Sequence, residues 1–295
     1  MALHFHEPTS NPLTLLAYAR NLGRLPPSAF RLLSSMNRFG FVILVAWLGL
    51  TLIFLNTLVA PQAWNNWPPD YCRRANCYCE PLYLDRLIAQ PLATYSNLGF
   101  VGVGLAILWL TLRRAPLPNN PFTHHRSYPV IYALALTTTG LFSFFYHASL
   151  TKLGDYLDLI GVYLFTSFLL LYNLNRLRSF KPSAFAGSYV TLNLALGFGL
   201  YMAYGLQQIY FAALILSTLA IEILIQRRQR PVSDLRLLVA ALTLFGLGAT
   251  VWVLDSNGGL PCWPSAPVTW HALWHLAAAA AAGVMYLYYR SARAA

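Results

Sequence analysis

Long apolar runs separated by short polar connections organise this chain. Eight of them occur, at about 41–60, 93–112, 129–149, 156–174, 185–203, 207–225, 235–254 and 268–289. Each approaches or exceeds the roughly 20 residues that a helix needs to cross the hydrocarbon core of a bilayer. About forty residues precede the first run, and Leu58 and Pro61 make a poor small-residue cleavage site, so it reads as a retained helix and not a cleaved signal. The expected fold is an all-α membrane protein. It comprises a basic N-terminal segment (1–39), an additional N-terminal transmembrane helix (40–60), and a loop followed by a seven-transmembrane-helix bundle (61–295), eight spans in all.

Composition agrees with the pattern. Of 295 residues, 57% are hydrophobic and 10% charged, against roughly 25% charged in an average soluble domain. The net charge of +11 could suggest nucleic acid, but its distribution speaks against that. Arg20, Arg24, Arg31 and Arg38 precede span one. Arg113, Arg114 and Arg126 follow span two, and Arg176, Arg178 and Lys181 follow span four. Arg227, Arg228, Arg230 and Arg236 follow span six, and Arg290 and Arg293 close the chain. The alternate connections are nearly neutral. Positive charge stays in the cytoplasm, so both termini are expected there, in the inner membrane if the cell is bacterial. Leu13, Leu15 and Leu16 beside Arg20 and Arg24 fit a segment lying on the membrane surface as well as they fit an unordered tail.

This topology gathers the chemistry at the other face. Ser143 and His147 end span three, Asp158 begins span four, and His271 and His275 begin span eight. Ionisable groups within a membrane are costly and mark function by default. An i,i+4 histidine pair presents two imidazoles from one helix face, and a third leaves a fourth position for water, the pattern of a catalytic zinc site. One such histidine alone would more often be a satisfied core residue; three at one depth, beside a serine and an aspartate, are a stronger signal. Asp158 would be the base and then the acid, with Ser143 a donor to an oxyanion or else bonded back to its own helix. His4, His6, His124 and His125 fall in cytoplasmic segments and carry no expectation. Asp155, nearer the loop, reads as solvated, and Glu222 as an interfacial partner of Arg227.

All four cysteines, Cys72, Cys77, Cys79 and Cys262, lie at the non-cytoplasmic face, where disulfides are permitted. A bridge from the 61–92 loop to Cys262 is plausible, but connectivity is not readable from sequence. Cys77-x-Cys79 is too close for a zinc-ribbon half-site, and no second pair complements it.

Three blocks resemble the alkaline ceramidase family, within the superfamily of seven-helix hydrolases that includes adiponectin-receptor-like proteins. The first is Tyr78-Cys79-Glu80, with Leu87-Ile88-Ala89-Gln90 and Tyr95-Ser96-Asn97. The second runs from Ser143 to Leu150 and includes Asp158. The third is His271-Ala272-Leu273-Trp274-His275. The resemblance implies zinc on His147, His271 and His275, Ser143 and Asp158 as catalytic companions, and a ceramide-like membrane lipid as substrate. The first block departs from the family. An acidic run resembling Asp-Trp-Cys-Glu-Glu-Asn, which there holds calcium, becomes Cys77-Tyr78-Cys79-Glu80-Pro81-Leu82, and Gln90 stands in place of a later acid. Glu80 alone remains as a calcium-type donor, whereas calcium takes six or more oxygens, so calcium is not expected and cysteines could brace the loop instead. A receptor-like protein with structural zinc, a proton-relaying transporter and a hydrolase of another acyl lipid are the alternatives. Against the transporter, no inverted repeat is evident.

Overall fold

The computed structural model describes residues 63–117, 119–229 and 232–293. The basic N-terminal segment and the additional transmembrane helix lie outside the described residues. Within them the chain is helical, with isolated β-bridges and no extended strand. Short helices α1 (Cys72–Ala75) and α2 (Pro91–Ser96) precede α3 (Leu98–Arg113) and a single turn, α4 (Pro121–His124). Six long helices follow: α5 (Ser127–Ser149), α6 (Lys152–Arg178), α7 (Pro182–Met202), α8 (Gln207–Arg228), α9 (Leu235–Ser256) and α10 (Trp270–Ser291). With α2 and α3 continuous as one span, seven helices among the described residues are long and apolar enough to cross a membrane, and the protein is a multi-pass, helical membrane protein.

The helices divide into a central set and a lipid-facing set. Half of the apolar window is buried in α5, α6 and α10, against 11% in α7 and α9. Residues such as Leu194, Phe198, Val239 and Leu247 are exposed, as a bilayer solvent allows. The core is aromatic: Phe122, Tyr132, Phe168, Tyr172, Tyr286 and Tyr289 pack together. The Tyr132 hydroxyl finds its acceptor in the Ala282 carbonyl at 2.6 Å. Two glycines let the central helices approach. A Cβ on Gly140 of α5 would fall 2.8 Å from the Asn97 carbonyl, and one on Gly161 of α6 would fall 2.9 Å from Thr139 Cα.

Glu222 does not pair with Arg227. Its partner is Arg176 on α6, Nη1 to Oε2 at 2.5 Å, and the other oxygen accepts from Gln226 and from the Tyr288 hydroxyl. Helical spacing favours the near arginine, but at this depth a buried carboxylate needs several donors at once, and those come from α6 and α10 as well as from its own helix.

The loop over residues 63–90 closes one end of the bundle. Its backbone is tied to the α5–α6 turn by Asp70 N to Leu150 O (2.9 Å), Lys152 N to Pro68 O (2.9 Å), Ala89 N to Ala148 O (2.9 Å) and Gln90 N to His147 O (3.2 Å). Thr151 caps α6 by accepting from Gly154 N. Disulfides join Cys72 to Cys77 within the loop, and Cys79 to Cys262 on the α9–α10 connection. The loop is thereby fixed to three helix ends at once.

Candidate metal centre and active site

The three histidines come from the last turn of α5 (His147) and the first two turns of α10 (His271 and His275), and all are buried. Thr269 caps α10 by accepting from Ala272 N, which sets where that helix begins and hence how far its first turn enters the bundle. One nitrogen from each ring lies within 4.8 Å of the others, and His147 Nε2 and His271 Nε2 stand 3.2 Å apart. Imidazole nitrogens held about 2.0–2.1 Å from one tetrahedral zinc would lie about 3.3 Å from one another. Among the described residues this is the one cluster of three or more His, Cys, Asp or Glu side chains able to hold a metal ion.

The groups behind the rings set the tautomers. His275 Nδ1 lies 3.1 Å from the Ala93 carbonyl and 2.8 Å from Ser96 Oγ, whose own hydrogen goes to Ala93 O. Both neighbours are left to accept, so Nδ1 carries the proton and Nε2 keeps its lone pair. His147 Nδ1 faces Gln90 Oε1 at 2.8 Å and is held in the same way. A metal-ligating histidine characteristically donates its outer N–H to such a partner, which raises the basicity of the inner nitrogen. His271 is held differently. Its Nδ1 has no hydrogen-bond partner, and the Tyr78 ring stacks on it at 3.6 Å and 24°. Two imidazole nitrogens facing each other across 3.2 Å in a buried site need a cation or a proton between them. A donor set of three neutral imidazoles suits a borderline ion such as zinc rather than a hard cation.

Asp158 on α6 and Ser143 on α5 face the same cavity. With His271, His275, Asp70, Asp155 and Tyr78 they line a cavity of about 490 Å³; His147 lies outside its lining. Asp155 does not end in bulk solvent as its loop position suggested. It accepts a hydrogen bond from the Tyr204 hydroxyl and faces the same cavity. Tyr78 and Trp252 share the wall of this cavity. Burial, reinforced by the Asp158 charge, pushes the Tyr78 hydroxyl well above the usual phenol range, so it stays protonated. A second cavity, of about 350 Å³, is almost wholly apolar and lies among α6, α8, α9 and α10. The two cavities share Phe100, Thr139, Val162, Phe211 and Trp274.

A family model described as Ceramidase matches residues 76–295. The chain belongs to the ceramidase family. It is therefore an amide-bond hydrolase, with a lipid substrate of the ceramide kind. No curated protein matches the chain closely. The match opens within the 63–90 loop and takes in the whole seven-helix bundle.

Membership in this family throws the loop into relief. Glu80, expected as the remnant of a calcium site, has both oxygens engaged by backbone donors at the start of α2, Leu92 N at 2.5 Å and Ala93 N at 3.0 Å. Burial pushes its carboxyl above the ordinary carboxylate range, with those two bonds pulling it back. Gln90, noted in the sequence as a lost acid, turns instead to His147. Sequence reasoning quoted Gln90, Tyr78 and Ser96 only as markers of resemblance. Their contacts with the histidine rings depend on the fold of a loop that carries no periodic signal.

Proposed function

We propose that the protein is a zinc-dependent intramembrane amidohydrolase that cleaves the N-acyl bond of ceramide or a close relative into a fatty acid and a sphingoid base. His147, His271 and His275 would hold the ion through Nε2. The chemistry a zinc ion supplies is Lewis acidity, which polarises a carbonyl and acidifies water. Asp158 takes a proton from the attacking water as its oxygen bonds to the amide carbon. It returns that proton to the nitrogen as the carbon–nitrogen bond breaks. Ser143, in the same cavity wall, presents its hydroxyl to the reacting oxygen.

One observation carries the reading. A cavity lined by three carboxylates and two of the histidines lies against an apolar one and shares five wall residues with it. That shape fits an amphiphile whose polar end reaches the histidines while its chain lies among α6, α8, α9 and α10. A structural ion in a receptor would need neither the open polar volume nor Asp158 in its wall. We further propose that both termini face the cytoplasm and the site faces the other side. The arginines at the ends of α3, α6, α8 and α10 support this orientation, as does the pair of disulfides at the opposite end. The test is release of fatty acid from a panel of N-acyl and O-acyl lipids by purified protein. Cleavage of N-acyl sphingoid lipids supports the reading, and cleavage of O-acyl lipids alone replaces the substrate.

A further inference from the structure

A further cavity, of about 570 Å³, lies at the end of the bundle opposite the histidines. Arg176 in its wall sits 18 residues after Asp158 on the same helix, or about 27 Å along the axis. Arg176, Arg293, His124, His125, Ser179 and Gln229 contribute to its lining, and among the described residues no Asp or Glu does.

Arg176 is incompletely used. Its side chain is only 7% exposed and its Nη1 is committed to Glu222. Its Nη2 is buried without a hydrogen-bond partner. A guanidinium donor left unmade in an interior is costly, and Glu222 cannot absorb it, since Gln226, Tyr288 and Arg176 Nη1 already occupy its oxygens. The helix carbonyls that would repel an anion at this end are also engaged. Asn120 Nδ2 donates to the carbonyls of Tyr289 (3.0 Å), Arg290 (3.1 Å) and Ala292 (2.6 Å) at the end of α10. Gln229 Nε2 donates to the Arg176 carbonyl at 3.2 Å. The Arg176 guanidinium packs over the Tyr288 and Tyr289 rings at 5.8 and 5.7 Å, and the cationic or titratable side chains lining the cavity are Arg176, Arg293, His124 and His125.

We propose that this cavity is a second ligand site, remote from the reaction, that binds a phosphate group through Arg176 Nη2 and Arg293. A guanidinium N–H makes a short, charge-assisted hydrogen bond to a phosphate oxygen. The phosphate reaches it either as the headgroup of a phospholipid in the adjoining leaflet or as a soluble anion, and the two sources are separable. Purified full-length protein in neutral detergent is titrated with inorganic phosphate, followed by phosphorus NMR. In parallel, the protein is placed in nanodiscs of phosphatidylcholine with or without phosphatidic acid, and retained lipid is read by native mass spectrometry.

Saturable phosphate binding identifies a soluble ligand. Retention of phosphatidic acid without phosphate binding identifies the lipid. In either case Arg176→Lys, which keeps the charge opposite Glu222 but removes the second donor, weakens binding about tenfold or more. Arg293→Gln, at an exposed position, weakens it without disturbing the Arg176–Glu222 pair, and both variants retain amide hydrolysis as a check on folding. Absence of binding by either probe overturns the proposal. Binding that survives the double variant Arg176→Lys/Arg293→Gln belongs elsewhere and overturns it equally.

Discussion

Replacing Gln90 tests whether the loop positions the metal centre. Gln90 is fully buried, and its Oε1 is the acceptor facing His147 Nδ1 at 2.8 Å. Gln90→Leu conserves size and keeps the backbone bond from residue 90 N to His147 O, but removes that acceptor. The ring then loses the group that fixes its Nδ1–H tautomer, and a share of its population presents a protonated Nε2 to the ion. Outer partners of this kind are worth about 10–100-fold in metal affinity, or roughly 1.4–2.7 kcal/mol at 1.36 kcal/mol per tenfold. Gln90→Glu should act in the opposite direction, since a carboxylate acceptor strengthens the N–H bond and makes Nε2 more basic. The assay is competition for zinc between the purified variants and a chelator of known affinity, with thermal unfolding as the control for the fold. The expected order of affinity is Glu above wild type and wild type above Leu. If Gln90→Leu holds zinc as tightly as wild type while remaining folded, the contact does not tune the site and the assignment of His147 as a ligand loses its main structural support.

Other outcomes follow from the same geometry. Asp158→Asn should retain zinc while turnover falls by about 10²–10⁴; Ser143→Ala should cost about 10²–10³, and an unaffected Asp158→Asn would move the base to Asp155. Tyr78→Phe keeps the ring stacked on His271 and should hold zinc nearly as wild type, whereas Tyr78→Ala should lower zinc affinity measurably in the same competition. Removing the bridge with Cys79→Ala/Cys262→Ala should destabilise the protein by about 2–5 kcal/mol, read as a lower unfolding midpoint. Cysteine labelling at Asn119, Ser179 and Val232 should report the cytoplasm and at Asn66 and Gly259 the opposite side; cytoplasmic labelling at Gly259 would invert the orientation.

The bundle was largely legible because the physics that builds it is local. Seven apolar runs lie close to the helices found, with errors at the ends. The run placed at 156–174 begins at Lys152, since Thr151 caps the helix before its apolar stretch starts. The juxtaposition of His147 with His271 and His275 was readable from their shared depth. The partners of those rings were not. Gln90, Ala93, Ser96 and Tyr78 reach them through a loop and a short helix whose positions are set by disulfides and by single hydrogen bonds across more than 50 residues. Glu222 shows the same limit. Its expected partner, Arg227, is five residues away in sequence, and its partner in space, Arg176, is 46.

The central claim is that the histidine triad holds a catalytic zinc, and one measurement bears on it directly. Wild-type protein and the His147→Ala/His271→Ala/His275→Ala variant are assayed side by side for bound zinc and for release of fatty acid from an N-acyl sphingoid lipid. The wild type is also assayed after chelation and after zinc is returned. About one zinc per chain in the wild type, loss of both metal and activity on chelation, recovery with zinc, and neither property in the variant are predicted. A triple variant that carries full zinc, or that hydrolyses the lipid as fast as wild type, would contradict the account.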